Sequence, residues 1–184
     1  KQVYSRFSAK VEIVREQKEV VDTPENPKIV QEFIEGENYC SYSVVKNGEV
    51  RAHSCYKVLH SIGLGAAMST KSVEDKEIEA FVKGITNKLG YTGQIAFDFI
   101  RTPKRLYVIE CNPRATSGVH LFDCSPMLAK AFFEEGFTHA SKGKIYQEPL
   151  TMIWYGMKQK EIWKQCFWRH VLLGKNVLFR AFDL

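Results

Sequence analysis

One predicted β-hairpin constrains this chain more than any other part of its sequence. Two β-prone runs, Gly93 to Arg101 and Arg105 to Cys111, flank a short turn that contains a proline. If the turn is centred on Lys104, Asp98 lies directly opposite Glu110, with Cβ atoms about 4.5–5.5 Å apart. The sequence therefore predicts two carboxylates that face each other across an antiparallel ribbon.

Asn112 shares the face of Glu110, because side chains alternate faces along a strand. Two facing carboxylates repel each other and need a cation between them to stay ionised. Hard oxygen ligands suit magnesium, which usually binds one or two carboxylates plus substrate phosphates. Arg114 adds a forked donor for a phosphoryl group. The alternative interpretation is a surface hairpin whose acids share this spacing by chance.

The remaining patterns predict a second hairpin, three helices and an α+β fold. Asn47-Gly48 between two β-prone runs is a strong hairpin signal. Ser72 is predicted to open a helix that Gly90 closes. Two later helices are predicted, one from Ser125 or Pro126 to Glu135 and one from Lys158 to Leu173. Antiparallel strands with helices between and after them are typical of an α+β fold.

Composition excludes several classes of protein. With 184 residues, 45% of them hydrophobic, the chain has room for one packed domain. No apolar run approaches the ~20 residues that a membrane helix needs. The five cysteines are scattered and odd in number, which argues against a disulfide framework or a zinc site. The chain starts without Met or a signal peptide, so we expect a cytoplasmic piece of a longer protein.

The net charge of +5 is unevenly distributed along the chain. Residues 142–184 carry 8 basic and 3 acidic side chains, whereas the preceding part is balanced. Such a basic segment can mark a nucleic-acid or membrane-surface contact, or it can be a solvated helical face or a subunit contact.

The histidines His53, His120 and His139 are predicted to be structural rather than catalytic.

Asp98 together with Glu110-Cys-Asn112-Pro-Arg114 resembles the metal-binding signature of the ATP-grasp superfamily. The run that continues to Gly118 is most similar to short carbamoyl-phosphate-synthase-like ATP-grasp proteins. The resemblance covers about residues 1–120. It implies an ATP-grasp fold with a largely antiparallel sheet, flanking helices and a helical C-terminal extension. Residues 1–120 would form the nucleotide- and metal-binding portion, and residues 121–184 an extension that packs on it or serves association.

The same resemblance implies roles for the residues of the signature. Asp98, Glu110 and Asn112 would hold two magnesium ions, with Mn²⁺ as an alternative, against the phosphates of ATP. Arg114 would contact the transferred group.

Upstream, Glu32, Phe33 and Ile34 match the hinge strand of the family, whose backbone hydrogen-bonds the adenine. Family members usually carry Gly-x-Glu after this hinge, with the Glu on the ribose hydroxyls. Here Glu37 and Asn38 stand at that place, and either could make the ribose contact.

The N-terminus resembles the family's Lys-bearing strand and the loop that covers the phosphates. Lys1 would contact phosphate and adenine, and Ser5 and Arg6 would lie over the triphosphate. The family loop is commonly rich in glycine, which lets backbone amides approach phosphate, and this one has no glycine. A surface lysine and arginine is the alternative interpretation.

The resemblance implies an ATP-dependent ligase that forms an acyl phosphate from a carboxylate or bicarbonate and transfers it to an amine or ammonia. Small-molecule carboxylates and amines would be its partners, and a homo-oligomer is left open. Family members have a preceding domain, so we expect this piece alone to be inactive. We expect no membrane or nucleic-acid partner. The alternatives are a non-catalytic nucleotide-binding module and a basic interaction protein that acts through residues 142–184.

Overall fold

The computed structural model of the protein describes residues 2, 11–14, 23–25, 27–63, 66–123, 125–158 and 163–177. Within these ranges the strands are β1 Glu37–Lys46, β2 Glu49–Ile62, β3 Ala66–Val73, β4 Gly93–Arg101, β5 Leu106–Asn112, β6 Thr138–His139, β7 Ile145–Gln147 and β8 Lys175–Asn176. The helices are α1 Lys76–Leu89, α2 Pro126–Phe133, α3 Pro149–Lys158 and α4 Gln165–Leu173, with a 3-10 helix at Ser117–Phe122.

The described strands form one sheet in the order β5-β4-β1-β2-β3-β7-β8, and β6 pairs with β2 away from this path. The pairs among β1 to β5 and the β3–β7 pair are antiparallel, whereas β2–β6 and β7–β8 are parallel. The predicted α+β class with a largely antiparallel sheet is therefore confirmed. The three strands after residue 120 join the same sheet, while α2, α3 and α4 supply the helical extension.

Both predicted hairpins form. The β1–β2 turn places Asn47 at φ 51° and Gly48 at φ 82°. Positive φ at both central residues is what a type I′ turn requires, and this turn matches the twist of the flanking strands. In the β4–β5 turn, the Thr102 amide donates to the Arg105 carbonyl at 3.0 Å.

The predicted start of the first helix is wrong by three residues. Ser72 lies in β3, where its hydroxyl donates to the Ser141 carbonyl at 2.6 Å. Asp75 caps α1 instead, because its carboxylate accepts from two first-turn amides at 3.1 Å. The predicted end is confirmed, since Gly90 takes the left-handed conformation at φ 56°.

The sheet is covered on both faces. The helix α1 packs on one face, called the α1 face here, through a buried cluster of Val45, Val50, Cys55, Ile78, Val82, Ile95, Phe97 and Phe99. The 3-10 helix and α2 cover the other face, called the 3-10 face, through Tyr42, Val44, Ala52, Ala96, Phe122 and Ala131. A functional side chain on this sheet therefore points toward one cover or the other.

The helix predicted from Lys158 to Leu173 is wrong at its start, because Trp163 and Lys164 precede α4, and residues 159–162 lie outside the described residues. The helix α3 already ends at Lys158, and α4 begins only at Gln165. Both helices pack against β3 through Met68, Met152 and Phe167, which are buried together. In the described part of the chain, no helix has the length and apolarity needed to cross a membrane.

Candidate active site

The two predicted acids face each other across β4 and β5. Asp98 is registered opposite Glu110, and Ala96 is opposite Asn112. The register then shifts after Asp98, so that Phe99 pairs two residues further back along β5. Because Glu110 and Asn112 are two residues apart on one strand, they share a face. The predicted pairing of Asp98 with Glu110 is therefore confirmed, but the predicted turn centre is wrong. The pairs nearest the turn, such as Arg101 with Leu106, centre it between Pro103 and Lys104, and the bulge after Asp98 is what brings Glu110 opposite Asp98.

The acids lie on the 3-10 face of the sheet. Asp98 is registered with Cys40 of β1, and Cys40 with Tyr56 of β2. Tyr56 is buried against Leu121 of the 3-10 helix. A row of side chains therefore runs from Glu110 through Asp98 and Cys40 to Tyr56, on the face opposite α1.

Cys40 and Tyr56 are neutral members of this row. Burial raises the pKa of the Cys40 thiol well above its ordinary value, and the charge of Asp98 beside it adds to the rise. Burial also raises the pKa of the Tyr56 hydroxyl. The negative charge of the row therefore sits on Asp98 and Glu110, next to two protonated side chains.

Asn112 lies between an anion and a cation. Its side chain is nearly buried, its Nδ2 donates to Asp98 Oδ2 at 3.4 Å, and its Oδ1 accepts from Arg114 Nη2 at 3.1 Å. Arg114 and Glu110 are both exposed. The cluster therefore combines an anchored amide with two charged groups that solvent, and hence a ligand, can reach.

Gly118 brings the segment after β5 down onto the sheet. A Cβ at this position would overlap Cβ of Tyr42 and lie 3.0 Å from Ser54 Oγ. The Ser54 hydroxyl donates to the Gly118 carbonyl at 3.0 Å, which holds the close approach. Arg114 lies on the short segment between Asn112 and this anchor. This role of Gly118 was not predicted from the sequence, although a glycine that ends a motif is a signal for close backbone approach.

Glu37 and Asn38 point to opposite faces of β1. Asn38 shares the face of Cys40 and Asp98, because it is two residues from Cys40 along the strand. Glu37 lies on the α1 face, where it accepts from Lys57 and from the Tyr39 hydroxyl. The hydrogen bond from Lys57 lowers the pKa of Glu37. Of the two residues considered for the ribose, Asn38 is the one on the face of the acids.

A family model described as the ATP-grasp domain matches residues 1–118, nearly two thirds of the chain. The chain belongs to the ATP-grasp family. A curated relative, the tyramine–L-glutamate ligase of Methanocaldococcus jannaschii, is 26% identical over 127 residues. These residues are 67% of this ATP-grasp chain and 41% of the relative, so the chain spans about two fifths of that protein.

Solved structures of other proteins are also similar to this ATP-grasp chain. One is the N5-carboxyaminoimidazole synthetase of Staphylococcus aureus complexed with ADP, with 15% identity and a TM-score of 0.46 over 63% of this chain and 35% of that one. Another is the biotin carboxylase domain of the Hydrogenobacter thermophilus 2-oxoglutarate carboxylase, in complex with MgADP, ADP and bicarbonate. It has 16% identity and a TM-score of 0.44 over 63% of this chain and 30% of that one.

The hinge residues of the ATP-grasp chain do not form the expected strand. Residues 29–36, which include Glu32, Phe33 and Ile34, have no strand pairing, and Phe33 is exposed. A side chain makes the contact with the sheet, because Gln31 Nε2 donates to the Ile109 carbonyl at 3.5 Å. The segment therefore runs beside β5 without the backbone ladder that would define a strand.

The predicted phosphate contacts Lys1, Ser5 and Arg6 lie outside the described residues. Next to them, Gln2 forms an isolated antiparallel bridge with Lys28. Their roles remain predictions.

The side chains around Asp98 fit a magnesium ion better than a softer metal. In the described ranges, no three His, Cys, Asp or Glu side chains lie close enough to hold a metal by themselves. Asp98 and Glu110 are two carboxylates, with Asn112 as an amide neighbour, and Mg²⁺ usually takes one or two carboxylates plus substrate phosphates. For Asn112 to add its oxygen beside Asp98, its amide must turn by about 180°, which exchanges the positions of Oδ1 and Nδ2.

Proposed function

We propose that the protein is part of an ATP-dependent ligase that forms an acyl phosphate from a carboxylate or bicarbonate and transfers the acyl group to an amine or ammonia. The observation that carries the proposal is the register of Asp98 opposite Glu110, with Asn112 on the same face. Membership of the ATP-grasp family supports it, and so does the similarity to a protein named tyramine–L-glutamate ligase.

In this proposal Asp98, Glu110 and Asn112 hold two Mg²⁺ ions, with Mn²⁺ as an alternative. Bound magnesium would neutralise the negative charge of the ATP phosphates. The protein's own contribution is to hold these oxygens on one rigid hairpin, so that little reorganisation is needed when the phosphates arrive.

Arg114 is the proposed contact of the transferred phosphoryl group. An oxygen of the acid substrate attacks the γ-phosphorus, the bond to the β-phosphate oxygen breaks, and ADP leaves. The amine then attacks the acyl carbon, phosphate leaves with the bonding electrons, and the amine loses a proton. Arg114 is exposed, and its guanidinium offers five N–H donors in a planar fork, which suits it to phosphoryl oxygens that gain charge along this path.

The nucleotide would lie along the 3-10 face and the segment before β1. Asn38 is the proposed ribose contact, because it shares the face of Asp98. The remaining proposed contacts are Glu32, Phe33 and Ile34 for the adenine and Lys1, Ser5 and Arg6 for the phosphates. We also propose that turnover requires a preceding domain and takes place in the cytoplasm, and a homo-oligomer stays open.

The test is Glu110→Gln in the full-length protein, which keeps the side-chain shape and removes one negative charge. We expect ADP and phosphate release to fall by about 100-fold or more, and ATP affinity to lose its dependence on Mg²⁺. Glu135→Gln is the matched control, because Glu135 is exposed on the segment after α2. Equal turnover and unchanged Mg²⁺ dependence in Glu110→Gln would show that the metal site is elsewhere.

A second candidate is a nucleotide-binding module without turnover. The observation that favours it is that Glu37 binds Lys57 on the α1 face, so that Asn38 is the candidate left for the ribose contact. Asn38 offers one acceptor oxygen where the family usually has a carboxylate. Tight ADP binding, without phosphate release across a panel of acids and amines, would support this candidate over the ligase.

A further inference from the structure

A row of buried side chains crosses the 3-10 face next to the row of the acids. Asn112 of β5 is registered opposite Ala96 of β4. Ala96 is also registered opposite Tyr42 of β1, and Tyr42 opposite Ser54 of β2. Directly opposed residues share a face of the sheet, so these four side chains lie side by side. All four are buried. The row therefore has two fixed ends, Asn112 at the edge of the sheet and Ser54 three strands away.

The chain leaves this row at Asn112 and returns to it at Gly118. Between them lie residues 113–117, which we call the arginine strap because they include Arg114. Four of the five strap residues are exposed, whereas Gly118 is buried against the sheet. The position of the strap therefore depends on the contacts at its two ends.

Ser54 makes the contact at the far end of the strap. Its hydroxyl donates to the Gly118 carbonyl at 3.0 Å, and the alternative acceptor, the Tyr42 carbonyl, is more distant at 3.4 Å. The hydrogen bond to Gly118 is buried, and it joins the first turn of the 3-10 helix to β2. At the near end, Asn112 Oδ1 accepts from Arg114 Nη2 at 3.1 Å. Ser54 is thus the counterpart of Asn112 at the other end of the strap.

We propose that Ser54 is a positioning residue for Arg114. By holding Gly118 on the sheet, Ser54 sets where the guanidinium of Arg114 meets the transferred phosphoryl group. This inference rests on the proposed function, in which Arg114 contacts that group. Only five residues separate the two fixed ends, so a shift of Gly118 changes the path of the strap and moves Arg114. A displacement of about 1 Å in a group at the reacting centre can lower the rate by up to about 100-fold.

The later part of the 3-10 helix has contacts of its own. The Tyr146 hydroxyl donates to the Leu121 carbonyl at 3.3 Å, and the Phe122 ring packs edge-on against the Tyr42 ring. Loss of the Ser54 hydroxyl should therefore leave the helix on the sheet and loosen its first turn. A positioning role can thus be separated from a general loss of the fold.

The first test is Ser54→Ala in the full-length protein, which removes the hydroxyl and adds no atoms. We expect kcat for phosphate release to fall by about tenfold, while KM for ATP changes by less than about threefold. Ser43→Ala is the matched control. Ser43 is also a fully buried serine, but its hydroxyl lies beside His53 on the α1 face, away from the strap. Its kcat should stay within about twofold of the wild type, and circular dichroism checks that both variants are folded.

A double-mutant cycle tests whether Ser54 acts through Arg114. In an Arg114→Ala background, Ser54→Ala should lower kcat by less than about twofold, because the group that Ser54 positions is gone. Hydrogen exchange adds a measurement that needs no turnover. The amides of residues 114–119 should exchange at least about fivefold faster in Ser54→Ala than in the wild type, and at the wild-type rate in Ser43→Ala.

Three results would overturn the proposal. They are an unchanged kcat in Ser54→Ala, an equal loss of kcat in Ser43→Ala, and a loss in the Arg114→Ala background as large as in the wild type. A folded wild-type protein that releases no phosphate with any acid and amine would instead contradict the proposed function. In that case faster exchange in Ser54→Ala would still support the hold of Ser54 on the strap, and unchanged exchange would overturn it.

Discussion

Arg114 Nη2 donates a 3.1 Å hydrogen bond to Oδ1 of Asn112. Nδ2 of the same amide donates to Asp98 at 3.4 Å, so the amide is oriented by a cation on one side and an anion on the other. If the amide turns to offer its oxygen beside Asp98, Nη2 of Arg114 loses this acceptor and can donate to another one, while Nη1 still donates to the Ala115 carbonyl at 3.1 Å. Under the proposed function, metal binding and the availability of Arg114 for a phosphoryl group are thus linked.

Arg114→Lys tests this arrangement. Lysine keeps the charge but loses the planar fork that can bind two phosphoryl oxygens at once. We expect kcat to fall by about tenfold or more while nucleotide affinity changes by less than about threefold. Steady-state kinetics and ADP titration calorimetry would measure both. Arg105→Lys is the control, because Arg105 is exposed at the β4–β5 turn; equal kcat in the two variants would contradict the assignment.

Asn38→Ala should weaken ATP binding, whereas Glu37→Gln should not. Asn38 shares the face of Asp98, and one lost hydrogen bond corresponds to about 0.5–1.5 kcal/mol, or roughly a two- to tenfold loss of affinity. Glu37 is engaged with Lys57 on the α1 face, where an exposed ion pair contributes little to stability. Nucleotide titrations of the two variants decide whether Asn38 or Glu37 contacts the ribose. A larger loss of affinity in Glu37→Gln than in Asn38→Ala would assign the contact to Glu37.

Gly118→Ala should destabilise the fold, and Gly84→Ala should stabilise it. A Cβ at Gly118 overlaps the side chain of Tyr42, and such overpacking costs about 1–3 kcal/mol. A Cβ at Gly84, within α1, meets nothing within 4 Å, so the helix gains about 1 kcal/mol from the better propensity of alanine. Urea unfolding measures both. A neutral Gly118→Ala would mean that the 3-10 helix is not held so close to the sheet.

His53 should make the folded state sensitive to acid. It is buried with its Nδ1 2.9 Å from Ser43 Oγ, and burial lowers its pKa from 6.5 to about 4. Nearby charges modify this effect, and they belong to Glu79, His139, Lys83 and Asp75. Below pH 6.5 the unfolded chain binds a proton that the folded protein excludes, so stability falls as the pH drops toward 4.

The expected loss attributable to His53 is about 2 kcal/mol between pH 7 and pH 4.5. Urea unfolding of the wild type and of His53→Gln at both pH values would measure it. Glutamine does not titrate, so the variant should lose less stability on acidification by about that amount. An identical loss in both proteins would show that His53 is protonated in the folded state as readily as in the unfolded chain.

The hairpin that carries Asp98 and Glu110 could be predicted because its signals are local. A proline-containing turn between two β-prone runs predicts the hairpin itself. The observed turn alone would place Asp98 opposite Ile109, and a bulge that the sequence did not predict brings Glu110 there instead. Ser72 was mistaken for a helix cap because Ser72 followed by Asp75 resembles a capping pattern. Its hydroxyl instead donates a hydrogen bond to the carbonyl of Ser141, which lies 69 residues away in the sequence. A contact at that distance leaves no local signal in the sequence.

The sequence by itself determined the α+β class and the two hairpins, because turn propensity and strand alternation act between neighbours in the chain. The bulge that brings Glu110 opposite Asp98 was seen only in the structure. Only the tertiary structure decided which face those acids share with Asn38 and how closely Gly118 approaches Tyr42. It alone also showed which sides of α3 and α4 stay exposed. Each of these depends on which segments pack together, and packing joins residues that lie far apart in the sequence.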